Sequence, residues 1–479
     1  MRIAALVVLL TAMAAYQGLH LSALSGTESW LHLRTGAWIL QNHGVPHYGV
    51  FSQYPDLPWR APSWLFDLLL AAGYQAMGLR ALPILEMALS IALAWALFWS
   101  ARGRRQSFWV AALLAGVALC ALPALQLQPV ICSVLLYALE LGLLFRALSR
   151  ADGRTLYWLP LLFAVWANLD SRFIYGLLTL ILLLVISVVE SGIRRYREQW
   201  FAQQAESLPI LTGAGVVAAC FAATLLNPYG YHAYDAALAN FASSPLQPYL
   251  PELSAIGFRR PQEFTLLLLA MAGFFSVGRW RTRGLFRFSL MLLTALLSFP
   301  AQRNSWLVAV ASVAVIADAI PIQAGEAERE RHWKRNVVTA MLVLVVLAAV
   351  ISRMPANRDA LLARVAQSLP VRACDYIRDN HLAPPLFNPY EWGGFLTWYL
   401  PEYPVVIDAR NELYGDDINL RYFRLTHAEI PLSGDLSFVD ARTILLPRHS
   451  PMAVALSAVP QFRVLYSDDV AVVLSRQPQ

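Results

Sequence analysis

Apolar runs of about twenty residues, the length needed to cross a bilayer, recur from the N-terminus to about residue 353 and then stop. No other feature limits the fold as much. Hydrocarbon offers no water to backbone N–H and C=O groups, so each run must close its hydrogen bonds internally as a helix. The runs lie near 3–24, 62–79, 81–101, 107–124, 129–148, 155–168, 173–190, 208–226, 264–278, 286–301, 305–320 and 336–353. The composition agrees: 58% of residues are hydrophobic, against roughly 45–50% in soluble proteins. The expected fold class is mainly α, a polytopic membrane protein, followed by a small α/β domain.

Orientation follows from arginine. The net charge of +6 is almost all arginine, since Lys334 is the only lysine. Five loops are basic: Arg102/104/105, Arg146/150/154, Arg194/195/197, Arg279/281/283/287 and Arg329/331/Lys334/Arg335. If 62–79 crossed the bilayer, the first two loops would fall opposite the N-terminus. If it lies along the interface, all five share the N-terminal side, which the positive-inside bias makes cytoplasmic. Pro62, Asp67, Gln75 and the Gly73/Gly78 pair suit such a surface helix. Eleven crossings are therefore expected. The basic excess reports orientation and not nucleic-acid binding, and the N-terminal run reads as a retained helix because more spans follow. Cys120, Cys132, Cys220 and Cys374 have a spacing that suits neither zinc nor a disulfide framework.

This topology divides the chain into a transmembrane domain, 1–353, and a periplasmic domain, 354–479. It also gathers the polar clusters on the outer face. They are a first external loop, 25–80, with interfacial helices near 29–43 and 62–79; the turn Asn168-Leu169-Asp170-Ser171-Arg172; the loop from Asn227 to about 263; and Gln302-Arg303-Asn304. In the tail, Val371–His381 reads as a helix and Pro404–Asp408 as a buried strand. Arg442–Pro447 reads as a second strand, and Phe462–Tyr466 with Val470–Ser475 as a hairpin around Asp468-Asp469.

Several motifs resemble those of bacterial GT-C-type membrane glycosyltransferases. They are Glu28-Ser29-Trp30-Leu31-His32-Leu33-Arg34-Thr35-Gly36, Gly44-Val45-Pro46, Phe51-Ser52, Trp59, Trp64-Leu65-Phe66, Trp166-Ala167-Asn168-Leu169 and Leu226-Asn227-Pro228-Tyr229-Gly230. Two more lie in the tail: Phe387-Asn388-Pro389-Tyr390-Glu391-Trp392-Gly393-Gly394 and Ile407-Asp408-Ala409-Arg410-Asn411-Glu412-Leu413-Tyr414-Gly415. The resemblance implies sugar transfer from a polyprenyl-phosphate donor on the external side, with an acid just after the first span, here Glu28. The chain departs from the pattern at Gly49-Val50, at Pro62-Ser63 and at Asp170-Ser171, where acidic or His residues are expected.

Such a reaction needs a carboxylate to take the acceptor's proton, cations to hold the phosphate leaving group and an apolar groove for the prenyl chain. The expected catalytic residues are Glu28 and Asp170. Arg34, His32, Arg172 and Arg303 are the expected phosphate and substrate partners, arginine being suited to bidentate phosphate contacts. Trp30 and Trp59 are expected to stack against sugar or prenyl groups. Glu28 and Asp170 are also ligands of the kind that Mg or Mn takes, which leaves a divalent metal open. The expected partners are the polyprenyl-phosphate sugar, a lipid, glycan or protein acceptor of the envelope, and membrane lipids, with no nucleic acid. The expected location is the bacterial inner membrane. Two other readings share these features: a transporter, and a non-catalytic envelope scaffold of the same fold.

Overall fold

Gly78 ends one helix and starts another, and that break separates two apolar helices. In the computed structural model its φ of 62° lies in the left-handed region open to glycine. The structure describes residues 22–102, 108–123, 126–150, 153–196, 209–241, 244–279, 284–320, 351–352, 355 and 357–477. Most of the expected spans 3–24 and 336–353 lies outside the described residues. So do Arg104, Arg105, Arg197, Arg281, Arg283, Arg329, Arg331, Lys334 and Arg335 of the basic loops.

The 25–80 segment carries helix α1 (Thr27–Asn42) and helix α2 (Trp64–Met77). After Gly78 a single 3-10 turn leads into α3 (Ala81–Arg102), so the 62–79 run and the next span are separate helices. The bundle continues with α4 (Phe108–Ala121), α5 (Pro129–Arg150), α6 (Leu159–Leu169), α7 (Phe173–Tyr196) and α8 (Ile210–Thr224). A short α9 (Ala233–Ala239) lies in the next loop, followed by α10 (Pro261–Arg279), α11 (Leu285–Ser298) and α12 (Trp306–Ala319). Among the described residues, four helical stretches are long and apolar enough to cross a membrane: Trp64–Arg102, Pro129–Ser149, Phe173–Ile193 and Pro261–Gly278. Helix α12 is buried on nearly every side, as befits a helix that is apolar all round. Its Trp306 meets Tyr137 and Tyr175 edge-on at 5.6 and 5.9 Å.

The tail begins with α13 (Arg358–Val365) and α14 (Val371–Asp379). It continues through β1 (Leu386–Phe387), α15 (Tyr390–Tyr399), α16 (Asn411–Thr426), α17 (Leu436–Asp440), β2 (Thr443–Pro447), α18 (Pro451–Ser457), β3 (Phe462–Ser467) and β4 (Ala471–Arg476). The sheet order is β1-β2-β4-β3, with β1 parallel to β2 and the other pairs antiparallel. The helix at 371, the strand ending at Pro447 and the Asp468-Asp469 hairpin therefore form as their patterns predict.

Pro404–Asp408 does not join this sheet, although Val405, Val406 and Ile407 are buried. Instead the Val405 N–H donates to the Phe51 carbonyl at 3.0 Å, and the Gln53 N–H donates to the Val405 carbonyl at 2.9 Å. The Asn388 side chain serves as its other edge, accepting from the Val406 N–H at 2.8 Å and donating to the Ile407 carbonyl at 2.9 Å. The segment between α1 and α2 is thereby sewn into the tail.

Two glycines bring α1 into close contact on both sides. A Cβ at Gly36 would stand 1.9 Å from the Asp67 carbonyl of α2, and one at Gly394 of α15 would stand 2.5 Å from the Thr27 carbonyl. Helix α1 is clamped between α2 and the tail.

Candidate functional site

The N-terminal ends of three helices, one face of a fourth and a short helical turn that Gly415 breaks from the rest of α16 line one cavity of about 170 Å3. Glu28 comes from the first turn of α1, Pro62 and Ser63 precede α2, and Gln128, Pro129 and Val130 begin α5. Ser171 and Arg172 precede α7, and Arg410 and Glu412 flank the start of α16. The N-termini of α2, α5 and α7 carry unpaired N–H groups and partial positive charge, which together favour an anion.

Along α1 the cavity is lined by Glu28, Leu31, His32 and Thr35, one face of a helix at i, i+3, i+4 and i+7. Burial pushes the Glu28 carboxyl above its usual range, and the Glu252 and Glu412 carboxylates push it the same way, against His32 and Arg172. His32 Nδ1 lies 2.7 Å from Asp67 Oδ1, and the Ser63 hydroxyl donates to the same oxygen at 3.2 Å. Burial alone would depress the imidazole, but the Asp67, Glu28 and Asp170 carboxylates together outweigh it and leave His32 above its ordinary value.

Across the cavity, Arg172 Nη1 donates to both oxygens of Asp170 at 3.1 Å. Asp170 Oδ2 also accepts from the Ser133 hydroxyl at 2.7 Å, and Ser133 in turn accepts from the Trp166 indole N–H at 2.7 Å. This chain explains the Trp166 motif: the indole sits at the base of a line of hydrogen bonds that ends on Arg172. Asp170 outweighs the effect of burial and holds Arg172 charged. The Arg172 Nε is buried and has no hydrogen-bond partner.

The tail forms the third wall. Arg410 binds Asp408 through Nε at 2.9 Å and Nη2 at 2.6 Å, donates to the Val50 carbonyl at 2.7 Å and lies 4.6 Å over the Trp59 ring. Trp59 donates its indole N–H to Glu412 Oε1 at 3.2 Å. Three other motifs hold the loops in register. Asn168 accepts from the Trp64 indole at 2.8 Å and donates to the Leu226 carbonyl at 2.9 Å, while Asn227 donates to the Ala167 carbonyl at 2.7 Å. The Tyr229 hydroxyl donates to the Pro46 carbonyl and accepts from the Ala61 N–H.

Of the residues expected at the site, Glu28, His32, Trp59, Asp170 and Arg172 line this cavity. Trp30 and Arg34 do not. Trp30 is 1% exposed, donates to the Leu24 carbonyl and packs edge-on against Phe395 of the tail. Arg34 stacks on the Phe51 ring at 4.9 Å. Arg303 stands outside the lining and donates to the Asn240 carbonyl at 3.0 Å. Asp67, Ser63, Arg410 and Glu412 were not expected in the cavity wall. Asp67 had a signal, a lone acid in the apolar stretch Trp64-Leu65-Phe66-Asp67-Leu68, since a buried carboxylate requires a partner. The space of the acid expected before Phe51 is taken: a Cβ at Gly49 would lie 2.3 Å from the Tyr54 carbonyl.

No protein-family model matches the sequence, and no curated protein matches it. Solved structures do. The archaeal oligosaccharyltransferase AglB from Archaeoglobus fulgidus, in complex with an inhibitory peptide and a dolichol-phosphate, aligns with 92% of this chain and 69% of its own. The TM-score is 0.55 and the identity 10%. Its apo form aligns over the same shares at TM-score 0.52 and 12% identity. The fold is that of the archaeal oligosaccharyltransferase AglB. A third structure of the archaeal enzyme, at TM-score 0.51 and 11% identity over 98% of this chain and 73% of its own, is a complex with Zn and sulfate. Among the described residues no group of three or more His, Cys, Asp or Glu side chains gathers, and both Asp170 oxygens are engaged by Ser133 and Arg172.

Proposed function

We propose that this chain is a membrane glycosyltransferase that moves a sugar from a polyprenyl-phosphate donor to a hydroxyl of a cell-envelope acceptor. The observation that carries the reading is that the N-termini of α2, α5 and α7, Arg172 and the Glu28 carboxylate line one cavity. A phosphate and a proton acceptor would thereby share one site. The AglB complex with dolichol-phosphate supports a lipid phosphate as the ligand class.

In this reading Glu28 accepts the acceptor's proton as the new glycosidic bond forms. Its burial makes it a stronger base than a free carboxylate. Arg172 takes the departing phosphate, and the N-termini of α5 and α7 add N–H dipoles that stabilise the growing charge. Asp170 is a positioning residue: it fixes the plane of the guanidinium and leaves the buried Nε free for an anion. Trp59 and Glu412, from the loop and the tail, form the wall for sugar hydroxyls. Arg303 stands behind Arg172 and adds positive charge at longer range.

The topology belongs to the same proposal. The eleven crossings, the inner membrane, and the external loops and 354–479 domain on the periplasmic face follow from the arginine loops. The test is transfer of label from undecaprenyl-phosphate-linked sugars in membranes carrying the chain. Glu28→Gln is expected to reduce turnover by 100-fold or more, the scale of a positioned base. Turnover unchanged in Glu28→Gln would remove this carboxylate from the chemistry. Transfer absent from the unmodified chain would favour the scaffold reading.

A further inference from the structure

Three features of the cavity are left unused by a Glu28-only mechanism: His32, Asp67 and Ser63. They form a line. The Ser63 hydroxyl donates to Asp67 Oδ1, and Asp67 Oδ1 holds His32 Nδ1 at 2.7 Å. Asp67 is 2% exposed and His32 is 17% exposed. With Nδ1 spent on a buried carboxylate, Nε2 is the ring nitrogen left for the cavity that His32 lines. A carboxylate on one imidazole nitrogen fixes the tautomer and stabilises the imidazolium that forms when the other nitrogen takes a proton. His32 lies four residues after Glu28 on one helix, so their side chains are neighbours on one face. The Gly36 contact sets the spacing, because it lets α2 come close enough for Asp67 to reach under the ring.

We propose that His32, oriented by Asp67, is a catalytic residue of the transfer: it receives from Glu28 the proton that the acceptor hydroxyl gives up. This inference rests on the glycosyltransferase reading and adds the fate of the proton to it. The acceptor O–H breaks and its proton goes to the Glu28 carboxylate. The acceptor oxygen bonds to the anomeric carbon, and the bond from that carbon to the phosphate oxygen breaks, its electron pair leaving with the lipid phosphate. The proton then moves from Glu28 to His32 Nε2, restoring the Glu28 carboxylate, and His32 releases it to water once the products have left.

The charged groups facing His32 fit a proton acceptor better than an anion binder. Asp67 comes from α2, Glu28 from its own helix and Asp170 from the turn before α7, and all three raise its proton affinity. Arg172 and Arg410 are the cavity's other cations, and each is paired to an aspartate, Asp170 and Asp408. His32 therefore sits among carboxylates, where a proton is stabilised and a phosphate is not.

The experiment measures kcat and KM across pH 5.5–9 (about neutral on both sides) for the full chain in membranes, with labelled undecaprenyl-phosphate-linked hexoses and pentoses as donors. His32 must be neutral to accept, so the rate rises with pH through its titration. His32→Gln is expected to lower kcat by about 100-fold with little change in KM, and to remove that rise. Asp67→Asn withdraws the charge that stabilises the imidazolium, so its rise moves to lower pH with an intermediate kcat. The Asp67→Asn shift separates a proton role from a packing role, since a merely misfolded site loses rate without moving the profile. Wild-type kcat and an unmoved profile in His32→Gln overturn the inference and leave the enzyme reading standing. So does a change confined to KM. An unmodified chain that transfers none of the donors overturns both.

Discussion

Arg172 Nη1 stands 3.1 Å from each carboxylate oxygen of Asp170, and the second of those oxygens is fixed from behind by Ser133 at 2.7 Å. The arginine is thus aimed by a carboxylate that is itself tethered two helices away. Asp170→Asn keeps the size of the side chain but presents an amide to the guanidinium. Loss of a charge-assisted hydrogen bond costs about 1.5–3 kcal/mol, so kcat/KM for the lipid donor is expected to fall about 10- to 100-fold. Arg172→Lys is expected to fall comparably, because an ammonium keeps the charge and loses the planar fork. Equal kcat/KM in Asp170→Asn and the unmodified chain would refute the positioning role.

The Asp408–Arg410 pair makes a different prediction because both partners are buried, at 0% and 3% side-chain exposure. Arg410→Met leaves a carboxylate in the core without its partner, and breaking such a pair costs about 3–5 kcal/mol. Arg410 also donates to the Val50 carbonyl of the first external loop. The loss is therefore expected to loosen the tail and the loop together, read as increased proteolysis of both segments in the membrane-embedded chain. Asp408→Asn combined with Arg410→Met is expected to recover much of the stability, as no uncompensated charge remains. A double variant as protease-sensitive as the single one would count against an electrostatic origin.

Much of this architecture was legible in sequence, and the reasons differ by part. The four helices long enough to cross a membrane among the described residues follow from apolar length, and the hairpin at Asp468-Asp469 follows from alternation beside a turn, both local signals. The face of α1 was legible too: Glu28, Leu31, His32 and Thr35 recur at helical spacing, which puts Trp30 and Arg34 on other faces. Reading the Glu28–Arg34 stretch as one cluster ignored that rotation. Arg410 and Glu412 were not legible as partners of Trp59, because some 350 residues separate them and the contact depends on how the tail folds back. The strand expected at Pro404–Asp408 failed for a related reason: its edges are the Asn388 side chain and the backbone of Phe51 and Gln53, which no periodicity encodes.

Gly36 and Gly116 offer a matched pair of substitutions. A methyl at Gly36 meets the Asp67 carbonyl at 1.9 Å, whereas one at Gly116 meets nothing within 4 Å. Gly36→Ala must push α2 away from α1, at a cost of about 1–3 kcal/mol or more, and it carries Asp67 away from His32. Gly116→Ala lies inside a helix and is expected to be neutral or stabilising by about 0.5–1 kcal/mol. Thermal unfolding of the two variants in the same detergent tests the contrast. Similar midpoints would mean that α1 and α2 are not in backbone contact.

Glu28→Gln is expected to raise stability while it removes activity. The Glu28 carboxyl is held above its ordinary value of 4.5, first by burial and then by the Glu252 and Glu412 carboxylates. A carboxyl whose folded-state pKa is raised costs stability once it ionises, so the penalty is fully present above the folded value and absent below 4.5. The amide removes the penalty. The melting temperature of Glu28→Gln is therefore expected to exceed that of the unmodified chain at pH 7–8 and to match it near pH 4. Lower stability at neutral pH would mean that His32 and Arg172 stabilise the ionised carboxylate more than burial and its acidic neighbours oppose it. Glu28 would then be an ion-pair partner and a poor base, and the proton of the acceptor would need another first recipient.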